Sequence, residues 1–451
     1  MKLIDKNKKI IRNALIIIIL IYVFGMCLSM AINTEYNSAP DEDMKYDVCR
    51  YIYNNSKLPH GGDESIRSAK YGISYAFMPI LSYIFSAVFM RVFDIFSNSF
   101  TSLVIYARLV SVVAITVYAF FCIKISEKLF KGIYKWLFVA LSILLPQLLY
   151  LGSYINNDSM AVLSISIIIF AWIIGLEENW NWKSCILLGI GIGICSMAYY
   201  NAYGYILTSV ILYLYTCFKN KMNIKEFLKK GLLIAGIALA IGGWWFIRSF
   251  ILYDGDIFAI KTQREYGQKY AIEELKPSNR TTPANQGEKL LHMLIERGWI
   301  NITTKSFIGY FGWMSILMSP LIYNIYISIG IVGILGVLLG GILYLKNRKK
   351  NNSNNEISSN RKILNIIFIV NIFITLALSI YYSYYMDYQP QGRYLMPMII
   401  PFIYFITTGI KTIIDMIIKN DKIKNIVISI FIIMLAIMVT YISIEYVIKV
   451  L

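Results

Sequence analysis

The feature that most constrains this chain is a series of apolar runs, each close to the roughly 20 residues that a membrane-spanning helix needs. Apolar residues make up 57% of its 451 residues, above the roughly 45–50% of soluble domains. The runs lack the polar–apolar alternation of membrane β-barrel strands. The sequence therefore predicts an all-α, polytopic integral membrane protein with about 11 transmembrane helices (10–13), in a single multi-pass domain over residues 1–451. We place the spans at 13–32, 102–123, 135–154, 159–176, 184–200, 203–218, 231–249, 319–345, 363–382, 394–410 and 426–447.

The net charge of +17 indicates which side of the membrane each loop occupies. With the N-terminus inside, the inner segments hold 25 of the 43 Lys and Arg but only 8 of the 26 Asp and Glu. Lys and Arg accumulate in cytoplasmic loops of membrane proteins, so this distribution favours a cytoplasmic N-terminus and argues against a nucleic-acid partner. The first apolar core is long and no small-residue cleavage site follows it, which predicts a retained helix rather than a signal peptide.

Two long outer loops, 33–101 and 250–318, carry most of the polar residues on that side. The stretch 73–93 is apolar enough to span, but a span there would move every later Lys-rich loop outside. We predict an amphipathic or re-entrant helix on the outer surface, although periodicity does not separate the two structures. Residues 346–362, rich in Asn, Ser and Lys, predict a flexible cytoplasmic connector.

The most informative motif is Pro40-Asp41-Glu42-Asp43, eight residues after the first span. Ionisable groups beside a bilayer are costly, so a function is the first hypothesis, and a carboxylate there suits a general base. The same residues also make a good first turn for a helix running to Asn54, and both interpretations stay open.

Arginines near two other span ends are candidate phosphate ligands. Arg248 follows a Trp pair, and Arg393 follows Gly392 at the head of the tenth span. A guanidinium binds phosphate through two parallel hydrogen bonds, but an arginine at this depth also serves as an interfacial anchor. The chain has two histidines and no paired cysteines, which gives little support to a metal site.

Further outer-side residues are candidate sugar or acceptor ligands. Asn157 and Asp158 offer amide and carboxylate groups to sugar hydroxyls, or cap a helix. His60 lies in a Pro/Gly turn that either lines a cleft or faces solvent, and Asp256 lies in a second turn. Trp313, in an aromatic segment with two glycines, offers a face on which a sugar ring stacks, and Gln391 and Tyr394 flank Arg393.

In combination these motifs resemble the GT-C superfamily, whose polytopic glycosyltransferases take sugar from a polyprenyl-phosphate carrier on the outer face. Protein O-mannosyltransferases and aminoarabinose transferases are relatives, and the chain is most similar to a group of bacterial predicted multi-pass membrane proteins of unassigned function. The resemblance covers residues 14 to about 410. It is carried by Pro40-Asp41-Glu42, Asn157-Asp158, Trp244-Trp245-x-x-Arg248, Ser306-Phe307-x-Gly309-x-Phe311-Gly312-Trp313 and Gln391-Gly392-Arg393-Tyr394.

The resemblance implies a role for each candidate. The acidic pair would be catalytic, with Asp41 as the base and Glu42 as its neighbour. Lys45 stands where relatives often have His. The carrier phosphate would be held by Arg248, Arg393 and Arg108. The sugar or acceptor would contact Asn157, Asp158, His60, Asp256, Trp313, Gln391 and Tyr394.

The implied activity is transfer of a sugar from a polyprenyl-phosphate carrier to an envelope glycan, lipid or protein, by inverting displacement at the outer face of a bacterial plasma membrane. Membrane lipids would be further partners. No cofactor is implied, and a divalent metal is left open. Three alternatives compete: a transporter or flippase for a lipid-linked sugar, a ligase or polymerase of lipid-linked glycans, and a non-catalytic membrane protein on the same fold.

Overall fold

The computed structural model describes residues 2–350 and 359–451. Within them the regular structure is helical apart from one two-stranded antiparallel hairpin, β1 (Tyr310–Phe311) and β2 (Ile316–Leu317). Of the predicted connector 346–362, residues 351–358 lie outside the described residues, and the described parts belong to the end of α15 and the start of α16. The α-helices are α1 (Lys2–Asn33), α2 (Glu42–Asn55), α3 (Leu81–Phe93), α4 (Phe100–Leu129), α5 (Tyr134–Ile143), α6 (Pro146–Leu151), α7 (Asp158–Glu177), α8 (Trp182–Ser196), α9 (Gly204–Lys219), α10 (Ile224–Ala238), α11 (Trp244–Leu252), α12 (Ile260–Tyr270), α13 (Leu290–Ile295), α14 (Trp299–Ile308), α15 (Pro320–Lys350), α16 (Ser359–Tyr385), α17 (Ile399–Ile417) and α18 (Asp421–Ile442).

Short helical turns of other types complete these elements. The 3₁₀ turns are Tyr75–Phe77, Tyr200–Ala202, Glu273–Leu275 and Gly392–Met398. The π-helical segments are Leu239–Gly243 and Ser443–Ile448. The first π segment joins α10 to α11, so the two helices form one continuous helical span, Ile224–Leu252.

Eight helices of the described chain are long and apolar enough to cross a membrane. They are Ile10–Asn33, Phe100–Leu129, Asp158–Glu177, Ile224–Leu252, Pro320–Lys346, Ser359–Tyr385, Gly392–Ile417 and Asp421–Ile448. The other predicted spans coincide with shorter helices: α8, α9, and the pair α5 and α6, which Pro146 divides because proline disfavours helical backbone in the residue before it. The predicted all-α, polytopic class is confirmed.

The bundle is built around α7, which is apolar on every side and whose apolar stretch is buried along its whole length. A helix without a polar face is stable only when other helices or lipid surround it, and α4 and α8 pack against α7. At the periphery, α15 leaves most of its apolar surface exposed, as expected for a helix that faces lipid.

Three of the segments between the helices lie at one end of the bundle, which we call the long-loop end and define by segments 34–99, 253–319 and 386–391. The two long loops are bonded to each other. The Gly61 amide donates to the Tyr253 hydroxyl at 3.0 Å, and the Ile272 amide donates to the Lys70 carbonyl at 3.2 Å. Helix α3 has 13 residues, a length of about 20 Å, so it is too short to cross a hydrocarbon core of roughly 30 Å.

Candidate active site

Asp41 lies directly before α2 with its backbone in the left-handed region, at φ 58° and ψ 24°. Its side chain makes no hydrogen bond to the amides of α2, so it does not cap the helix. Instead its Oδ2 atom accepts a hydrogen bond of 2.8 Å from the Tyr75 hydroxyl. The sequence left two roles open for this carboxylate, a helix cap and a functional group. The geometry disfavours the cap, and the carboxylate instead lines a cavity.

That cavity has a volume of about 280 Å³ and lies at the long-loop end. Its lining combines two carboxylates, two cations, several side-chain amides and six aromatic rings. The lining residues are Pro40, Asp41, Lys45, Tyr71, Tyr75, Met78, Asn157, Asp158, Tyr199, Trp313, Met314, Tyr382, Gln389, Gln391, Arg393 and Tyr394. The structure thus brings together seven of the residues expected from the sequence: Asp41, Asn157, Asp158, Trp313, Gln391, Arg393 and Tyr394.

Arg393 is placed in the cavity by the close approach of Gly392 to α14. A Cβ atom at position 392 would collide with the backbone of Phe307, and the Gly392 amide donates to the Ser306 hydroxyl at 3.0 Å. The Arg393 side chain is 9% exposed. Its Nη2 atom lies 3.8 Å from Asp41 Oδ2, beyond hydrogen-bond range, and 3.4 Å from the Tyr394 hydroxyl.

The guanidinium of Arg393 therefore keeps unused donors. Among the described residues, its buried Nε–H has no hydrogen-bond partner. Buried N–H groups are nearly always paired, so an unpaired one beside a cavity indicates where a ligand oxygen would bind. A planar donor of this kind matches a phosphate or a carboxylate.

Lys45 is the second cation of the lining. It lies four residues after Asp41, which places both side chains on the same side of the first turns of α2. Lys45 is 3% exposed, its Nζ donates to the Pro40 carbonyl at 2.7 Å, and it lies 5.2 Å from the centre of the Tyr75 ring. Desolvation by burial lowers the pKa of Lys45 to about 8.

Asp158 and Asn157 enter the cavity where α7 begins. Asp158 is 9% exposed, and no other side chain of the described chain donates a hydrogen bond to its carboxylate. The Asn157 side chain donates weakly to the Pro79 carbonyl at 3.4 Å. Both side chains are therefore available to ligand hydroxyl groups.

Aromatic rings form one wall of the cavity. The rings of Tyr199 and Tyr394 are stacked with centroids 6.3 Å apart, and Tyr382 packs edge-on against Tyr394 at 6.1 Å. The Tyr394 hydroxyl is hydrogen-bonded to Gln389. On the opposite loop, the Trp313 ring is half-exposed and its Nε1 donates to the Asn37 carbonyl at 2.9 Å. Flat apolar faces flanked by amides suit a sugar ring.

Glu42 and Arg108 are not part of the cavity lining, because they bind each other. Arg108 Nε and Nη2 donate to the two carboxylate oxygens of Glu42 at 2.8 and 2.7 Å, and the side chains are 2% and 0% exposed. The remaining Arg108 donors reach the carbonyls of Ala31, Thr34 and Glu35 at 2.8 to 2.9 Å. With every donor engaged, Arg108 has none left for a phosphate, and Glu42 has no free oxygen for a proton.

Arg248 and His60 belong to a separate cluster between the two long loops. Arg248 Nη2 donates to the Pro59 carbonyl at 2.7 Å, and its guanidinium lies over Trp245. The His60 ring packs edge-on against Tyr253 at 5.1 Å. Burial, with the nearby charge of Arg248, lowers the pKa of His60. Neither residue lines the cavity. Arg248, expected at the carrier phosphate, and His60, expected at the sugar or acceptor, therefore lie apart from the other candidate site residues.

Asp256 is also outside the cavity and has a local structural role. Its Oδ2 atom accepts hydrogen bonds from the amide and the hydroxyl of Thr262, at 2.8 and 3.0 Å. These bonds hold the first turn of α12, where free backbone amides need acceptors. Within the described chain, no three His, Cys, Asp or Glu side chains are grouped as a metal site requires.

The cavity also contains residues that sequence reasoning did not select as ligands: Tyr75, Tyr199, Tyr382 and Gln389, together with Lys45. Lys45 could have been selected from the sequence, because a basic residue four positions after Asp41 on a predicted helix lies on the same side of that helix as Asp41. The tyrosines carry none, because interfacial tyrosines are common in membrane proteins.

Comparison with known proteins gives one family match. The family described as "Predicted membrane protein (DUF2142)" matches residues 55–403. No curated protein matches the chain in sequence.

Several solved structures resemble the chain in three dimensions. The archaeal oligosaccharyltransferase AglB from Archaeoglobus fulgidus, in complex with an inhibitory peptide and a dolichol-phosphate, superimposes with a TM-score of 0.55 at 12% identity, over 96% of this chain and 55% of AglB. The apo form of the Archaeoglobus fulgidus oligosaccharyltransferase gives 0.53 at 12% identity, with the same two coverages. ArnT from Cupriavidus metallidurans, bound to undecaprenyl phosphate, gives 0.40 at 12% identity, over 89% of this chain and 77% of ArnT.

The likeness to AglB shows a shared GT-C fold, and the chain spans about half of AglB's length. The expected GT-C-like bundle is therefore confirmed.

Proposed function

The chain belongs to the DUF2142 family of predicted membrane proteins, and we propose that it is a membrane glycosyltransferase that takes its sugar from a polyprenyl-phosphate carrier. The observation that carries the proposal is the cavity in which Asp41 and a cation with unused donors, Arg393, lie side by side. Support also comes from the fold, because AglB, which shares it, was solved with a dolichol-phosphate.

In the proposed reaction, Arg393 and Lys45 hold the phosphate of the donor. Both are buried cations, and a phosphate excluded from water is stabilised far more by fixed positive charge than it would be in solvent. The phosphate accepts a hydrogen bond from the Nε–H of Arg393, which is unpaired within the described chain. The acceptor hydroxyl approaches the anomeric carbon from the side opposite the phosphate, as an in-line displacement requires.

Asp41 acts as the general base. The acceptor hydroxyl loses its proton to Asp41 as its oxygen attacks the anomeric carbon, and the bond from that carbon to the phosphate oxygen breaks. The bonding electron pair leaves with the polyprenyl phosphate, so a single displacement inverts the anomeric centre. Asp158 and Asn157 orient the sugar hydroxyls, and the tyrosine wall contacts the ring.

The acceptor is an envelope glycan, lipid or protein, and the cavity faces the outside of a bacterial plasma membrane. This orientation is supported by the clustering of basic residues in the short loops at the other end of the bundle.

The proposal is tested with purified protein in detergent and a panel of undecaprenyl-phosphate-linked hexoses as donors. Slow transfer to water releases undecaprenyl phosphate, so the assay needs no knowledge of the acceptor. We expect release with at least one donor, and a loss of at least about 100-fold in Asp41→Asn, the usual contribution of a general base. Asp43→Asn removes a carboxylate two residues away, outside the cavity lining, and should retain the activity.

The same variants are compared in cells that lack the protein. We expect loss of one sugar decoration of the envelope, restored by the wild type and by Asp43→Asn but not by a stably inserted Asp41→Asn. Full restoration by Asp41→Asn would remove the base and favour transport of a lipid-linked sugar, or a non-catalytic role.

A further inference from the structure

The hydroxyl of Tyr75 is the one side-chain donor that hydrogen-bonds to Asp41 within the described chain. It reaches Oδ2 at 2.8 Å, and the nearest atom of Arg393 lies 3.8 Å from the same oxygen. Both donors thus face one oxygen of the carboxylate. The other oxygen, Oδ1, has no hydrogen-bond partner among the described residues.

Tyr75 is a dependable donor, because the phenol stays protonated. Burial, together with the negative charge of Asp41, raises the pKa of Tyr75 well above its usual range. A phenol in this state donates its proton to a carboxylate and stabilises the charged form of that carboxylate over the neutral form.

The position of Tyr75 is fixed by the contact between the two long loops. It begins a 3₁₀ turn that Ser74 caps, with the Ser74 hydroxyl accepting from the Ala76 amide at 3.2 Å and donating to the Gly61 carbonyl at 2.6 Å. Two residues later, the buried Phe77 packs against Tyr253 and Tyr266 of the second loop. The hydroxyl is therefore held from outside α2, independently of the backbone that carries Asp41.

We infer that Tyr75 is a positioning residue, which occupies Oδ2 of Asp41 so that Oδ1 is the oxygen that receives the acceptor's proton. The inference rests on the proposed function, since it specifies how the proposed base is oriented.

Other charged and titratable groups also face Asp41. They come from α2, α3, the loop between α6 and α7, the start of α7 and the 3₁₀ turn before α17, and they are Lys45, Tyr83, Tyr154, Asp158, Arg393 and Tyr394. Tyr75 differs from all of them because it forms the direct hydrogen bond. Its removal therefore changes the orientation of the carboxylate and its preference for the charged form together.

The test is the substitution Tyr75→Phe, assayed by release of undecaprenyl phosphate from an undecaprenyl-phosphate-linked hexose between pH 5 and 9. We expect kcat to fall about tenfold, with KM for the donor changed less than about twofold. The acid limb of the kcat profile should move to higher pH, because the carboxylate loses a donor that favours its charged form. A change confined to protein stability would lower the active fraction without moving that limb.

The matched control is Tyr53→Phe, which removes a tyrosine–aspartate hydrogen bond of 3.0 Å, to Asp94, in the same loop but away from the cavity. This variant should keep the kcat and the pH profile of the wild type. If Tyr75→Phe does not fold, 3-fluorotyrosine at position 75 replaces it. This residue keeps the ring and strengthens the donor, so the acid limb should move to lower pH.

The outcomes separate the two proposals. If Asp41→Asn abolishes release while Tyr75→Phe leaves the profile unchanged, Asp41 is the base and the role of Tyr75 is overturned. If Asp41→Asn retains release, Asp41 is not the base and the role of Tyr75 falls with it, whereas a wild type that releases undecaprenyl phosphate from none of the donors would overturn the proposed function. A shifted acid limb with an unchanged donor KM in Tyr75→Phe supports both.

Discussion

Lys45 makes the proposed donor site sensitive to pH. Because desolvation lowers the pKa of Lys45 to about 8, the side chain is mostly charged at pH 7 and mostly neutral at pH 9. Affinity for the donor should therefore fall by up to about tenfold as pH rises from 7 to 9. The measurement is a binding titration at constant ionic strength with an undecaprenyl-phosphate-linked hexose, whose phosphodiester does not titrate in this range.

The substitution Lys45→Arg separates Lys45 from other titrating groups. A guanidinium stays charged throughout this range, so the variant should bind the donor equally well at pH 7 and pH 9. Lys57→Arg, at an exposed position of the same loop, serves as the control and should keep the pH dependence of the wild type. A pH-dependent loss that persists in Lys45→Arg would assign the effect to another group.

The Glu42–Arg108 pair holds the backbone from which Asp41 projects. Arg108→Met leaves the Glu42 carboxylate buried at 0% exposure without its partner, so we predict a destabilisation of about 3–5 kcal/mol. Thermal unfolding in detergent measures it. The double variant Arg108→Met with Glu42→Met should recover much of the loss, and Glu273→Ala, at an exposed ion pair, should have no measurable effect. Equal losses in the single and double variants would contradict this role.

At the scale of elements, helices α15 and α17 cross in close backbone contact. A Cβ atom at Gly409 would collide with the carbonyl oxygen of Gly333, and one at Gly336 would collide with the backbone of Gly409. Small residues permit such approaches between membrane helices. Gly409→Ala should therefore force the helices apart and destabilise the protein by about 1–3 kcal/mol.

The control for this crossing lies on α15 itself. A Cβ atom at Gly341 would meet no atom of the described residues within 4 Å, so Gly341→Ala should leave the unfolding temperature unchanged or raise it slightly through better helix propensity. Both variants are compared by thermal unfolding in the same detergent. An unchanged unfolding temperature in Gly409→Ala would show that the crossing relaxes at little cost.

The helices could be predicted from the sequence because a span depends on a local property, the length of an apolar run. Pairings between distant residues could not. Arg108 was expected at the phosphate because it lies near the outer end of a span, but Glu42, 66 positions earlier, takes up its Nε and one Nη2 donor. Arg248 Nη2 donates to the Pro59 carbonyl, 189 positions away, while the buried Nη1 of Arg248 has no hydrogen-bond partner among the described residues. Nothing local distinguishes an arginine that binds a ligand from one that binds the protein's own backbone.

At the scale of the molecule, much of the cavity could still be predicted, because its residues come from the ends of spans. Asp41, Asp158 and Arg393 each adjoin a helix end, and the topology brings those ends to one side. The contribution of Tyr75 could not be predicted, since its place depends on how two long loops pack against each other. The sequence therefore predicts which end of the bundle holds the site better than which loop residues complete it.

The last prediction concerns the orientation of the whole molecule. All six cysteines are free and buried, so the native protein should react little with a maleimide that does not cross membranes. Single cysteines are introduced at exposed sites on opposite ends, Glu274→Cys in the second long loop and Lys131→Cys between α4 and α5. If the long-loop end faces outwards, as the basic inner loops indicate, intact cells should label only Glu274→Cys, and both variants should label after lysis. Labelling of Lys131→Cys alone in intact cells would place the cavity on the cytoplasmic side, where the proposed transfer to an envelope acceptor is not possible.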